Sequence, residues 1–165
     1  MKNNDVKYEG NTWYRMNPRI VDALVKMDFI RRYEELSRRF SVDKMPAVNQ
    51  LERIDRKKVL ELIEKLGYSA KYYGKEKFFQ IEEQIDNLTF AVHICFHRGR
   101  VELIWVVREN GELLLGRPWI ECSRELIDVD YFIKPVCAGT YETLEEILKI
   151  TFGMYEDFKR IILNQ

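Results

Sequence analysis

Apolar positions along the chain repeat every three to four residues as far as Gly67, alternate one in two through the middle third, and return to the longer period at the C-terminal end. Ile20, Leu24, Met27, Ile30, Tyr33 and Leu36 fall on one face of an amphipathic helix over residues 17–39. Asn17 caps it, and Pro18 suits the first helical position, where the missing N–H has no intrahelical partner to lose. Residues 41–50, with Pro46, read as a loop. Asp55 then caps a second helix that buries Val59, Leu62, Ile63 and Leu66 and stops at Gly67, a residue free to adopt the left-handed closing conformation.

Beyond Gly67 the period becomes that of a strand. Over residues 77–85, Phe79, Ile81 and Ile85 share one side, and Phe78, Gln80, Glu82 and Gln84 the other. After a turn at Asp86-Asn87, Leu88, Phe90, Val92, Ile94 and Phe96 form the core face of a central strand, with Thr89, Ala91, His93 and Cys95 pointing away. Arg98-Gly99 closes a hairpin onto residues 101–107. Asn110-Gly111 then closes another onto residues 113–115, because a type I′ turn needs positive φ at both central positions. Three successive hairpins make an antiparallel meander. Residues 120–127 read as a strand or an irregular segment, and 131–136 as one more strand. Thr140 or Thr143 caps a last helix with a stripe of Leu144, Ile147, Leu148, Phe152, Tyr155, Phe158 and Ile162.

These patterns predict one α+β domain, an antiparallel meander of four to six strands flanked by two N-terminal helices and one long C-terminal helix. Its parts are an arm over residues 1–16, a helical part over 17–67, the sheet over 75–136 and the last helix over 141–163. A chain of 165 residues with 46% hydrophobic and 13% aromatic residues has enough apolar matter for a packed core. Three cysteines, Cys95, Cys122 and Cys137, form no CxxC pair and point to a reducing compartment rather than a disulfide framework. With no apolar leader and no run of 18 apolar residues, cytoplasmic residence without membrane contact is expected.

The 27 basic and 27 acidic residues cancel, which argues against a general nucleic-acid binder. That zero conceals two opposed halves. Residues 1–80 hold 18 basic and 12 acidic side chains, and residues 81–165 hold 9 and 15. Either the halves neutralise each other on folding, or the second presents an electronegative surface to a basic partner.

Little in the chain suggests catalysis. His93-x-Cys95-x-His97 shares one strand face, but the outer histidines are ~13 Å apart along an extended chain, and no third and fourth metal ligand accompanies them. Ser123 lacks the flanking glycines of a nucleophile elbow. Adjacent carboxylates such as Glu82-Glu83 diverge on a strand. No catalytic residue, metal or cofactor is therefore expected. What remains is the sheet face away from the core, either covered by a helix or open as a binding surface. On the second alternative, Glu82, Glu102 and His93, with Glu109 and Glu112 at the hairpin tip, are the candidate partner contacts. Another reading is a small-molecule or peptide-binding module whose sheet face is lined by Trp105, Trp119 and His93.

The run Asp55-Arg56-Lys57-Lys58-Val59-Leu60-Glu61-Leu62-Ile63-Glu64-Lys65-Leu66-Gly67-Tyr68, continued through the meander to Leu113-Leu114-Leu115-Gly116-Arg117-Pro118-Trp119, resembles small bacterial immunity proteins of polymorphic-toxin and contact-dependent inhibition systems. Tyr141-Glu142-Thr143-Leu144-Glu145-Glu146-Ile147-Leu148 and Tyr155-Glu156-Asp157-Phe158 are similar in character. The resemblance implies a cytosolic protein that binds one cognate toxin, commonly a nuclease with a basic surface, and blocks its active site.

Overall fold

Asn17 accepts a hydrogen bond from the Arg19 N–H at 2.9 Å and starts helix α1, Pro18–Lys26, with Pro18 in the first turn. The computed structural model describes residues 15–165, so the arm expected over residues 1–16 lies, except for Arg15 and Met16, outside the described residues. Met16 is itself buried.

One helix over residues 17–39 was expected, and the chain instead breaks after Met27 into α1 and α2, Phe29–Arg39. Asp28 between them is left-handed, with φ of 59°, a conformation that short polar residues tolerate best after glycine. The break rotates Phe29 into the core, 1% exposed, where it meets Trp105 and Trp119. A short 3₁₀ turn, Val42–Lys44, follows. Helix α3, Arg56–Lys65, begins where Asp55 accepts from the N–H groups of Lys57 and Lys58, and the chain leaves it through Gly67 at φ 96°.

Among the described residues five strands then pair in sequence order, all antiparallel: β1 Ala70–Tyr73, β2 Phe78–Ile85, β3 Leu88–His97, β4 Arg100–Glu109 and β5 Glu112–Pro118. The fold class is thus the expected α+β meander. Strand β1 is additional, being only four residues long and too short to show a period. The turns follow the local chemistry: Asn110 and Gly111 both have positive φ, as do Arg98 and Gly99.

Two further expectations fail. The segment expected over residues 120–127 is neither a strand nor irregular: residues 120–126 lie in helix α4, Trp119–Leu126, which Ile127 caps, with Trp119, Cys122 and Ser123 buried at helical spacing. Residues 131–136 are not a strand. The segment only grazes β4 through a single bridge, Arg100 with Cys137, flanked by hydrogen bonds from Val101 to the Val136 carbonyl at 2.8 Å and from Ala138 to the Gly99 carbonyl at 2.7 Å. Pro135 has no N–H to extend the ladder. Thr140 then caps the 23-residue helix α5, Tyr141–Leu163, by accepting from the Thr143 N–H at 3.0 Å. The capping role thus falls to Thr140 rather than Thr143.

Phe79, Ile81, Phe90, Val92, Ile94, Leu103, Trp105 and Val107 on one sheet face join buried residues of α1, α2, α3, α4 and α5 in one continuous core. Among the described residues the two N-terminal helices expected are three, because the first breaks, and α4 is a further one. No helix among the described residues is long and apolar enough to cross a membrane.

Candidate protein-binding face

Strand alternation and register together define the other side of the sheet. Opposite residues in an antiparallel ladder share a face. The pairs Gln80 with His93 and His93 with Ile104, continued by Ile104 with Pro118, therefore make one row, and Glu82, Ala91, Val106 and Gly116 make the next. Phe78, Gln80, Thr89, His93, Cys95, Ile104 and Val106 are half-buried, while Glu82, Gln84, Glu102 and Arg108 are exposed. This is the profile of a face shaded by its own side chains and not covered by a described helix. Ala91, whose single methyl sits low among larger neighbours, is buried.

The centre of the face is aromatic and apolar. Phe78 stacks between Tyr73 at 5.0 Å and His93 at 4.3 Å between ring centroids, and Ile104 and Val106 adjoin them. Burial lowers the His93 pKa, partly opposed by the Glu82 carboxylate, so the imidazole is held neutral. Burial and the Glu102 charge raise the Cys95 pKa, burial raises that of Cys137, and burial pushes Cys122 up to about 12. All three free cysteines are therefore protonated thiols at neutral pH, the opposite of an activated nucleophile. Among the described residues no three of His, Cys, Asp and Glu cluster as metal ligands would.

The five candidate contacts divide between two places. Glu82, His93 and Glu102 share the open face. Glu109 turns to the helical side, where the Arg19 guanidinium donates to both its oxygens at 2.9 and 3.0 Å, and Glu112 stands opposite it at the exposed rim. Nor is the open face acidic: Glu82 and Glu102 share it with Lys71, Arg100 and Arg108. Trp105 and Trp119 are 1% and 3% exposed in the core, so they do not line a surface with His93.

The opposed halves meet in part through ion pairs. Basic residues of the first meet acidic residues of the second in the pairs of Arg19 with Glu109, Arg32 with Asp157, Arg39 with Glu146 and Lys65 with Glu145. Two further pairs lie on the core side of the sheet, one buried and one with only its lysine buried. Glu83 accepts from Lys159 and from the Tyr155 hydroxyl, each at 2.6 Å, and Arg117 meets Glu125 at 3.3 Å with side chains 8% and 1% exposed. Their signal was present in the periods, since Glu83 shares parity with Phe79 and Ile81, and Lys159 falls on the Tyr155 stripe.

No protein-family model, curated protein or solved structure matches this chain.

Proposed function

We propose that this chain is a cytoplasmic, non-enzymatic immunity protein that holds one cognate protein toxin against the open face of its sheet and so occludes the toxin's active site. The observation that carries the reading is the uncovered face itself. It has an aromatic and aliphatic centre of Phe78, His93, Ile104 and Val106, with charged groups around it, the composition of a protein interface and not of a solvated sheet. The resemblance to immunity proteins supplies the kind of partner. Because cations and carboxylates are mixed on the face, recognition rests on the apolar centre and on individual pairs made by Glu82 and Glu102. A broad electronegative field contributes little.

The test is binding between the purified chain and the product of the neighbouring toxin-like reading frame, measured by calorimetry. Phe78→Asp and Ile104→Asp should each weaken binding by roughly a hundredfold with little change in melting temperature. Glu82→Lys and Glu102→Lys should slow association in a salt-dependent way. The proposal is wrong if the neighbouring product does not bind, or if the apolar-face variants bind as tightly as the parent.

A further inference from the structure

Three chain segments meet at the hairpin end of β3 and β4. The Gly99 carbonyl in that hairpin accepts from the Ala138 N–H at 2.7 Å, and the Arg98 carbonyl accepts from the Asn49 side chain at 3.0 Å. Cys137 donates to the Phe40 carbonyl at 2.6 Å and Gln50 to that of Gly139 at 2.8 Å, so residues 40–50, the hairpin and residues 134–139 are tied together. They pack closely: a Cβ on Gly99 would stand 2.8 Å from the Met45 methyl, and one on Gly139 would stand 2.5 Å from the Pro46 ring. Between the three segments lies an open cleft of about 450 Å³. That is within the range of small-molecule sites, and its walls are already held in place before any ligand arrives.

The charge of this cleft is one-sided. Val42, Met45, Pro135 and Cys137 supply the apolar part of its lining. Arg98, Arg100, Lys134 and His97 supply the rest, with no carboxylate among the described lining residues. Two of these cations already have partners outside the lining, Arg98 with Glu52 at 3.5 Å and Lys134 with Asp43 at 3.4 Å. Arg100 does not: it is exposed, and among the described residues its guanidinium has neither a hydrogen-bond nor an ion-pair partner. Its charge is felt at Cys137, where it opposes the upward push of burial on the thiol, so the guanidinium stands near the apolar part of the lining. Glu102, two residues further along β4, is not part of the lining.

One uncompensated guanidinium beside an apolar surface suits a single negative charge on an apolar body, and a planar carboxylate matches the fork of arginine donors. We propose that this cleft binds a small organic carboxylate, its apolar body against Met45, Pro135 and Cys137 and its carboxylate accepting from Arg100. The proposal does not depend on the immunity reading, and its test uses no toxin.

The experiment is calorimetric titration of the full chain with naphthoate, with its neutral counterpart naphthamide, and with acetate, which has the charge without the body. Naphthoate should bind saturably and roughly tenfold more tightly than naphthamide, and acetate should give no measurable binding over the same concentrations. Arg100→Gln, at an exposed position, should erase the preference for the carboxylate, whereas Lys44→Gln, which removes an exposed cation outside the lining, should leave it intact. Naphthyl phosphate, a dianion, should bind no more tightly than naphthoate. Absence of saturable binding, equal affinity for naphthoate and naphthamide, or an equal loss in Arg100→Gln and Lys44→Gln overturns the assignment, and tighter binding of the phosphate overturns its restriction to a single charge.

Discussion

Arg32 of α2 reaches Asp157 of α5 at 2.9 Å, and the same guanidinium donates to the Met27 carbonyl at 3.3 Å, at the point where α1 ends. One side chain from the basic half of the chain thus ties the helix break to the last helix. It does so through an acidic residue of the other half.

That pair has a pH signature. Burial alone would raise the Asp157 carboxyl, but hydrogen bonds from Arg32 and Arg160, and their charges, outweigh it and hold the group below its usual value. A carboxyl depressed in the folded state contributes stability that is complete above its unfolded value of about 3.9 and is lost as pH falls through the lower, folded value. Asp157→Asn should remove about 0.5–1 kcal/mol at neutral pH and flatten the acid end of the stability curve. Thermal melts from about pH 7 down to about pH 3 check both.

His93 titrates in a different window. Its folded pKa lies below the ordinary value, chiefly through burial, so the unfolded chain takes up the proton first. Its contribution is complete above about pH 6.5 and erodes as pH falls from there through the folded value. His93→Gln should abolish that erosion, seen in melts between about pH 7 and pH 5, while melts continued to about pH 3 should still show the more acidic Asp157 transition.

Lys159, with its side chain 7% exposed, is held by Glu83 at 2.6 Å and Glu156 at 2.9 Å. Glu83→Ala should destabilise the fold by about 3 kcal/mol, because it strips the nearly buried ammonium of one of its two carboxylates and leaves the Tyr155 hydroxyl without its acceptor. The double variant Glu83→Leu with Lys159→Met should recover part of the loss in urea denaturation, since removing the buried ammonium together with its carboxylate leaves no uncompensated charge. A double variant no more stable than Glu83→Ala would show that the site depends on its charges.

Gly99 has φ of 92°, and a Cβ added there would stand 2.8 Å from the Met45 side chain and 2.9 Å from the Ala138 carbonyl oxygen. Gly99→Ala should therefore lower stability by more than ~1 kcal/mol through both backbone strain and the clash. Gly111, equally left-handed at φ 81° but with nothing within 4 Å of such a Cβ, isolates the backbone component. Gly111→Ala should be the milder of the two in the same denaturation assay.

Ile104 and Trp105 are neighbours on β4 that face opposite ways. Trp105→Ala should lose about 3–5 kcal/mol from a core it fills with Phe29, Trp119 and Phe158, while Ile104→Ala on the open face should lose about 1 kcal/mol or less. Comparable losses in the two variants would mean that both sides of the sheet are packed.

This contrast also marks what was legible in advance. Parity alone separated His93 from Val92, and the caps at Asn17 and Asp55 could be read from single residues and their neighbours, while the last helix left two candidates, Thr140 and Thr143. The break at Asp28 could not. The stripe of Ile20, Leu24, Met27, Tyr33 and Leu36 continues across it, and only the packing of Phe29 against Trp105 and Trp119 favours two helices over one. Helix α4 and the irregular path of residues 131–136 were hidden for a related reason. Their shape follows from where β5 stops and leaves the β4 edge to be met.

By itself the sequence determined the periods, the turns and the caps of this protein, because each depends on torsional preferences and hydrogen bonds within a few residues. Only the tertiary structure decided which sheet face the helices cover, where Glu109 and Trp119 point, and that the opposed charges of the two halves meet in ion pairs such as that of Arg32 with Asp157. Burial and pairing are set by surfaces distant in the chain, and a count of charges along the sequence carries no record of which of them will touch.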